Sequence, residues 1–147
     1  MEINNKKATY DYFVEDTYET GIVLKGTEIK SIRKGSANLQ DSYATIKKGE
    51  MFLLNMYIAQ YEEGNQFNHE ERRTRKLLLH ESEIIKIASK VDQEGYTLVP
   101  LKLYLKGNKA KILIGIAKGK KTFDKRETIK KRDLEREARK EAKYNFR

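Results

Sequence analysis

The sequence predicts a mainly β chain: an antiparallel barrel with two or three short helices and a basic C-terminal tail. Three observations carry that expectation. Short apolar stretches rich in β-branched and aromatic residues recur through residues 1–117, separated by Gly-containing turns. No long alternation of strand and helix signals appears, so a parallel sheet is disfavoured. The charge is also divided unevenly. Residues 1–117 hold 18 Lys+Arg against 16 Asp+Glu (+2), and residues 118–147 hold 13 against 6 (+7). We therefore expect a barrel over 1–117 and a separate tail over 118–147.

Taken in order, Tyr10, Tyr12 and Val14 alternate with polar residues, and Tyr18 to Leu24 continues the stretch, so a strand is expected from Tyr10 onward. Thr27 to Lys34 has Ile29 and Ile32 three apart and meets Gly35, the pattern of a short helix with a glycine stop. Tyr43 to Lys47 and Met51 to Tyr57 form a hairpin through Lys48-Gly49-Glu50. Glu81 to Glu94 places Ile84, Ile85, Ile87, Ala88 and Val91 on one helical face, with Gly95 as the stop. His80 followed by Glu83 resembles a capping box for that helix. Thr97 to Leu105 and Ala110 to Ala117 form a second hairpin through Lys106-Gly107-Asn108-Lys109. Pro100 marks a bulge or an edge in its first strand.

Several function classes drop out. With no Cys there is no disulfide framework, thiolate nucleophile or Cys-ligated metal, which fits a reducing cytosol. The longest run free of charged and strongly polar residues, Ile112 to Ala117, is far short of a membrane span, and the N-terminus has no apolar signal core. His69 and His80, the two histidines, supply neither the number nor the spacing of a zinc site and are read as a solvated loop residue and a helix cap. No nucleotide-binding, serine-hydrolase or zinc-protease motif occurs, so neither an enzyme nor a cofactor is expected. An RNA-cleaving role for His69 or His80 is disfavoured.

The net charge of +9 points to a polyanion. Arg72-Arg73-Thr74-Arg75-Lys76 is either a solvated run paired with the acidic residues before it or a phosphate contact beside Leu77-Leu78-Leu79. At least one of those leucines must face outward if they lie in a strand. The 14 aromatics are read first as core and pleat packing, with a stacking platform for unpaired bases as the alternative. In the tail, Lys118-Gly119-Lys120-Lys121-Thr122-Phe123-Asp124-Lys125-Arg126 forms a basic joint. Beyond it Arg132, Arg136, Arg139, Lys140 and Lys143 recur at intervals of three and four. That stripe is cationic if helical. Its poverty in apolar residues predicts a segment disordered alone and helical on RNA, the other reading being a solvated, partly helical tail with no dedicated partner.

The chain also resembles a known family. Asn5-Lys6-Lys7-Ala8-Thr9-Tyr10-Asp11-Tyr12-Phe13, Glu19-Thr20-Gly21-Ile22, Gly26-Thr27-Glu28-Ile29-Lys30-Ser31-Ile32-Arg33 and Asp41-Ser42-Tyr43 match it in order. So do Arg73-Thr74-Arg75-Lys76-Leu77-Leu78-Leu79, Glu94-Gly95-Tyr96-Thr97-Leu98-Val99-Pro100 and Gly115-Ile116-Ala117-Lys118-Gly119-Lys120-Lys121. Together they resemble the small protein B, or SsrA-binding protein, family of bacterial tmRNA-binding proteins.

The resemblance implies an OB-fold-like barrel and a cytoplasmic, monomeric adaptor of trans-translation. Such an adaptor binds the tRNA-like domain of tmRNA and accompanies it, with elongation factor Tu and GTP, to the empty A site of stalled ribosomes. It assigns tmRNA contact to Asn5, Lys7, Tyr12, Glu19, Lys76, Leu78 and Lys111. It assigns the small-subunit decoding centre and mRNA channel to Lys118, Gly119, Lys120, Lys121, Phe123, Asp124, Lys125 and Arg126 and to the stripe Arg132, Arg136, Arg139, Lys140 and Lys143. Lys111 suits a phosphate and Leu78 a base or ribose, whereas Glu19 suits a base edge or a 2′-OH. Phe123 stands where some members carry His, which keeps stacking and loses an imidazole hydrogen bond. The other reading of the barrel and tail is a different OB-type ribosomal protein or translation factor.

Overall fold

The computed structural model describes residues 1–92 and 95–120, and beyond them 126, 129–132, 134 and 136. In chain order the elements are β1 (Glu2–Asn4), α1 (Lys6–Asp11), β2 (Tyr12–Ile22), α2 (Gly26–Arg33), β3 (Ala37–Asn38), β4 (Tyr43–Lys47), β5 (Glu50–Leu54) and β6 (Tyr57–Ile58). A 3-10 turn follows (Glu62–Phe67), then β7 (Arg75–Leu78), α3 (Glu81–Val91), β8 (Tyr96–Lys106) and β9 (Lys109–Gly119).

The chain is mainly β with several helices. The principal sheet runs β1-β8-β4-β5-β7-β2-β9, and β9 pairs again with β8, so the strand pairings return on themselves. Alternation sorts each strand's residues between two faces. Met51, Leu53, Leu77, Leu98, Leu103, Ile112, Ile114 and Ile116 point to one buried core, which α2 covers with Ile32 and α3 with Ile87. Each such side chain contributes about 1.5–3 kcal/mol on burial.

The turns follow the chemistry expected of them. Lys48 and Gly49 both have positive φ, as a two-residue hairpin loop of the primed type requires, and Gly107 (φ +63°) opens the β8–β9 turn. Gly35 (φ +75°) closes α2. Its N–H donates to the Ile32 carbonyl while Ser36 N–H reaches Ser31, the paired bonds of a Schellman end. Glu83 accepts the His80 N–H at 3.2 Å at the start of α3. Pro100 precedes a register shift before Lys102, so the expected irregularity is a bulge.

Three expectations about individual elements require correction. Tyr10 lies in α1, because the Asn5 carboxamide caps that helix by accepting from Ala8 N–H. Ala8 then packs on Val99 and Ala117 across the outer face of β8 and β9. The run Met51–Tyr57 breaks at Asn55 (φ +66°), and β6 pairs with β3 in a separate two-stranded ladder. On α3, Ile85 is 62% exposed, since at 100° per residue it lies off the arc that carries Ile84, Ile87, Ala88 and Val91.

The basic run at 72–76 is largely committed to the fold, and among the described residues its ion-pair partners are Glu28 and Glu50 rather than the neighbouring carboxylates of Glu62, Glu63, Glu70 and Glu71. Arg75 is wholly buried. Its Nε donates to Glu28 Oε2 at 2.5 Å, and its guanidinium also reaches the carbonyls of Met56 (2.7 Å) and Glu71 (3.1 Å). Arg73 donates to the other Glu28 oxygen at 2.5 Å, and Arg72 to the Asn55 carbonyl at 3.0 Å. His69 is likewise buried rather than solvated. Its ring bridges Thr27 Oγ1 (2.9 Å) and the Ile58 carbonyl (3.0 Å).

Candidate nucleic-acid interface

Strand register decides which of the candidate residues share a surface. Gly21 of β2 lies opposite Leu78 of β7 on one side and Lys111 of β9 on the other. Lys111 in turn lies opposite Tyr104 of β8. Directly paired residues project from the same face, so Leu78, Gly21, Lys111 and Tyr104 form one outward row across four strands. Glu19, Lys76, Lys102 and Lys106 each stand two residues from a member of that row and share its face. Glu19, Leu78 and Lys111, far apart in the chain, are thereby brought together.

The chemistry of this face is mixed. Leu78 is half exposed and offers an apolar contact. Gly21 keeps the space beside it open, since a Cβ there would come within 3.3 Å of the Leu78 Cβ. Lys102 holds its ammonium 5.2 Å from the Tyr104 ring. The Tyr104 hydroxyl donates to Glu19 through a short hydrogen bond, and Lys106 sits 3.6 Å from the other Glu19 oxygen. The Tyr104 hydroxyl, with Lys106 and Lys111 nearby, holds the Glu19 carboxyl below its usual range, although burial opposes the shift. Burial, reinforced by Glu19, pushes Tyr104 up to about 12. Glu19 is thus an oriented anion that can accept from a 2′-OH or an amino group. The surrounding lysines are cations of the kind a phosphate contact requires.

The remaining tmRNA candidates stand elsewhere or are engaged. Asn5 is buried: its Nδ2 donates to the Pro100 carbonyl at 2.8 Å and its N–H to Leu101 at 2.8 Å. Asn5 fixes α1 on the sheet. Lys7 pairs with Asp41 at 3.0 Å, a bond that holds its ammonium above the ordinary lysine value. Lys7 and Tyr12 line a cleft of about 310 Å³ with Asp11, Asp41 and Tyr43. A second depression, lined by Lys6, Thr9, Val14, Lys102 and Leu113, takes up the other flank of α1. Lys76 pairs with Glu50 at 3.1 Å.

At the tail joint, Lys118 and Gly119 complete β9, and Lys120 N–H donates to the Asp11 carbonyl at 2.7 Å. Arg126, Arg132 and Arg136 have helical backbone. Lys121, Phe123, Asp124, Lys125, Arg139, Lys140 and Lys143 lie outside the described residues. Sequence reasoning missed Tyr104, Lys106 and Gly21. Counting back from the Gly107 turn pairs Tyr104 with Lys111, so a signal for one of them was present. Among the described residues no group of His, Asp and Glu is arranged to hold a metal.

Known proteins of similar sequence and fold identify the family. The family model described as SmpB protein matches residues 2–144. The SsrA-binding protein of Staphylococcus saprophyticus is 58% identical over 142 residues, covering 97% of this chain and 92% of that protein. That of Bacillus subtilis is 60% identical over 133 residues, covering 90% and 85%. A chain in a solved structure described as "tmRNA-SmpB: a journey to the center of the bacterial ribosome" superposes with a TM-score of 0.70 at 48% identity. The match covers 82% of this chain and 85% of that one. With a family model spanning nearly its whole length and relatives near 60% identity, the chain belongs to the SmpB protein family.

Proposed function

We propose that this chain is the tmRNA-binding adaptor of trans-translation. It binds the tRNA-like domain of tmRNA and delivers it to the empty A site of stalled ribosomes, where the peptide is tagged and the ribosome released. The observation that carries this reading is the shared outer face of Glu19, Leu78 and Lys111, aligned through Gly21. Structured RNA presents phosphates, 2′-hydroxyls and splayed bases, and that face pairs each with a matching group. The names of the relatives and of the superposing ribosome structure support the same partners.

In the finer reading, the returning strand pairings form an OB-type barrel over 1–117, and 118–147 is a functionally separate tail that enters the decoding centre and mRNA channel. The adaptor acts as a cytoplasmic monomer, reaches the ribosome with elongation factor Tu and GTP through the tmRNA complex, and catalyses nothing itself. The buried, fully engaged His69 supports the last point. Among the described residues no helix is long and apolar enough to cross a membrane.

The test is a titration of the tRNA-like domain of tmRNA against a generic structured RNA of equal length at two salt concentrations. The expected result is a preference for the tmRNA domain that persists at the higher salt. Equal affinities with equal salt slopes would leave only a general RNA binder, the alternative OB-type translation protein.

A further inference from the structure

At the end of the strand ring where β2 begins and β9 stops, a second row crosses three strands. Phe13 lies opposite Lys118 in the β2–β9 pairing, and Tyr96 lies opposite Lys118 in the β8–β9 pairing. All three side chains therefore leave the same face. The β2 register shift between Val14 and Asp16 creates this arrangement. Without the extra residue, Val14 would stand opposite Lys118 and Phe13 would point to the other side.

The row opens onto a cleft of about 350 Å³ lined by Phe13, Val14, Glu15, Tyr96 and Lys118. Phe13 is 52% exposed, an unusual amount of bare ring for a paired strand. Ammonium groups gather over the two rings: Lys118 lies 4.5 Å and Lys90 5.7 Å from the Tyr96 centroid, and Lys120 lies 4.8 Å from that of Phe13. Glu15 is the cleft's one carboxylate. It faces the Tyr96 hydroxyl and pairs with Lys90 at 3.4 Å, so it fixes the tyrosine ring and its charge is offset locally. β9 offers an extended peptide no strand edge here, being paired on both sides by β2 and β8, while β2 is paired over this stretch by β9 alone. Aromatic faces rimmed by lysines instead match a base with its phosphate.

We propose that this cleft binds one unpaired RNA nucleotide, with the base stacked on Phe13 beside Tyr96 and its flanking phosphate held by Lys118 and Lys120. The site stands apart from the Glu19–Leu78–Lys111 face and takes its two phosphate-binding lysines from the first residues of the segment 118–147. It rests on the reading that the tail joint meets ribosomal RNA, and it assigns the barrel end itself a base-stacking contact there.

The test uses the full-length chain and a short unpaired oligoribonucleotide carrying one 2-aminopurine. The wild-type chain is expected to quench the probe on binding. Phe13→Ala should weaken binding about tenfold and abolish quenching with an unchanged salt slope, as loss of one stacked base predicts. Phe13→Tyr should retain both. Lys118→Gln should keep the quenching and reduce the salt slope by roughly 0.7, as loss of one phosphate contact to a single strand predicts. A Phe13→Ala chain that binds and quenches like wild type overturns the site, as does a Phe13→Tyr chain that loses as much as alanine. The same chains are titrated with the tmRNA domain, which the Phe13 variants should bind normally. A wild type without preference for tmRNA defeats the adaptor reading. A wild type that prefers tmRNA, with a flat Phe13 series on the oligoribonucleotide, defeats only the stacking site.

Discussion

Lys111 and Lys7 carry the same charge and differ in what RNA can gain from it. Lys7 is already paired with Asp41, so a phosphate must compete for its ammonium. Lys111 lies in the row beside Gly21 and Tyr104, with no ion-pair partner among the described residues. Lys111→Ala should weaken tmRNA binding about five- to tenfold at moderate salt and lower the salt slope by roughly 0.7–0.9, while Lys7→Ala should move both less. Fluorescence titration at three or more salt concentrations measures both quantities. A larger loss for Lys7→Ala would shift the binding face to the cleft that Lys7 and Tyr12 line.

Glu28 illustrates the opposite use of charge. Burial alone would raise its carboxyl pKa, but hydrogen bonds from Arg73, the Lys25 N–H and Arg75 override burial and hold it below the ordinary 4.5. Glu28→Gln leaves the buried Arg75 guanidinium without its counter-ion and should cost about 3–5 kcal/mol, read from urea unfolding at neutral pH. A depressed native pKa means that the folded state binds fewer protons than the unfolded one. The stabilisation is therefore present above about pH 4.5 and is lost as pH falls through the lower native value. Wild-type stability should fall across that acidic window, and the Gln variant should show a flatter profile there. Parallel slopes would mean that Glu28 is not the group titrating.

At the scale of elements, α1 depends on one side chain. Asn5 caps the helix and donates to the buried Pro100 carbonyl beside the β8 register shift. Asn5→Ala removes both bonds and should destabilise the chain by about 2 kcal/mol, visible as a lower melting temperature. If Asn5 acts by holding α1, any loss of tmRNA affinity should shrink on cooling. A temperature-independent loss with unchanged melting would instead mark a direct contact. This dependence also explains why α1 escaped the sequence. The Tyr10–Tyr12–Val14 alternation has a strand's period, and the competing helix is chosen by Asn5 bonding residues almost a hundred positions away. Hairpins with glycine turns were readable because their pairing is local, and so was the need for at least one of Leu77, Leu78 and Leu79 to turn outward. The assembly of Glu19, Leu78 and Lys111 on one face was not. It follows from the register of β2 against two strands distant in sequence. The fate of Arg75 and His69 was equally hidden, since Glu28 and Thr27 reach them only through the tertiary fold.

For the whole molecule, the uneven charge underlies the division of labour we propose between residues 1–117 and 118–147. Residues 1–117 carry +2, too little for long-range attraction, and on the proposed reading their choice of RNA rests on the local face built around Gly21. Residues 118–147 carry +7, and electrostatic attraction of this kind distinguishes RNA poorly from RNA. A tail of that composition needs another surface to place it before its charge becomes specific, and tethering to a bound tmRNA provides that placement as a high effective concentration. Deleting residues 128–147 removes Arg132, Arg136, Arg139, Lys140 and Lys143 but leaves every strand of the sheet intact. Binding to the tRNA-like domain should therefore stay within about twofold of wild type, whereas tagging of peptides on ribosomes stalled in vitro should be lost. Two results would contradict the division. A truncated chain that still supports tagging would make the tail dispensable, and one that no longer binds tmRNA would make it part of the recognition surface. The Phe13→Ala chain adds a discriminating third case in the same assay. If the barrel end contributes its own base contact, that chain should tag more slowly than wild type while retaining the entire tail.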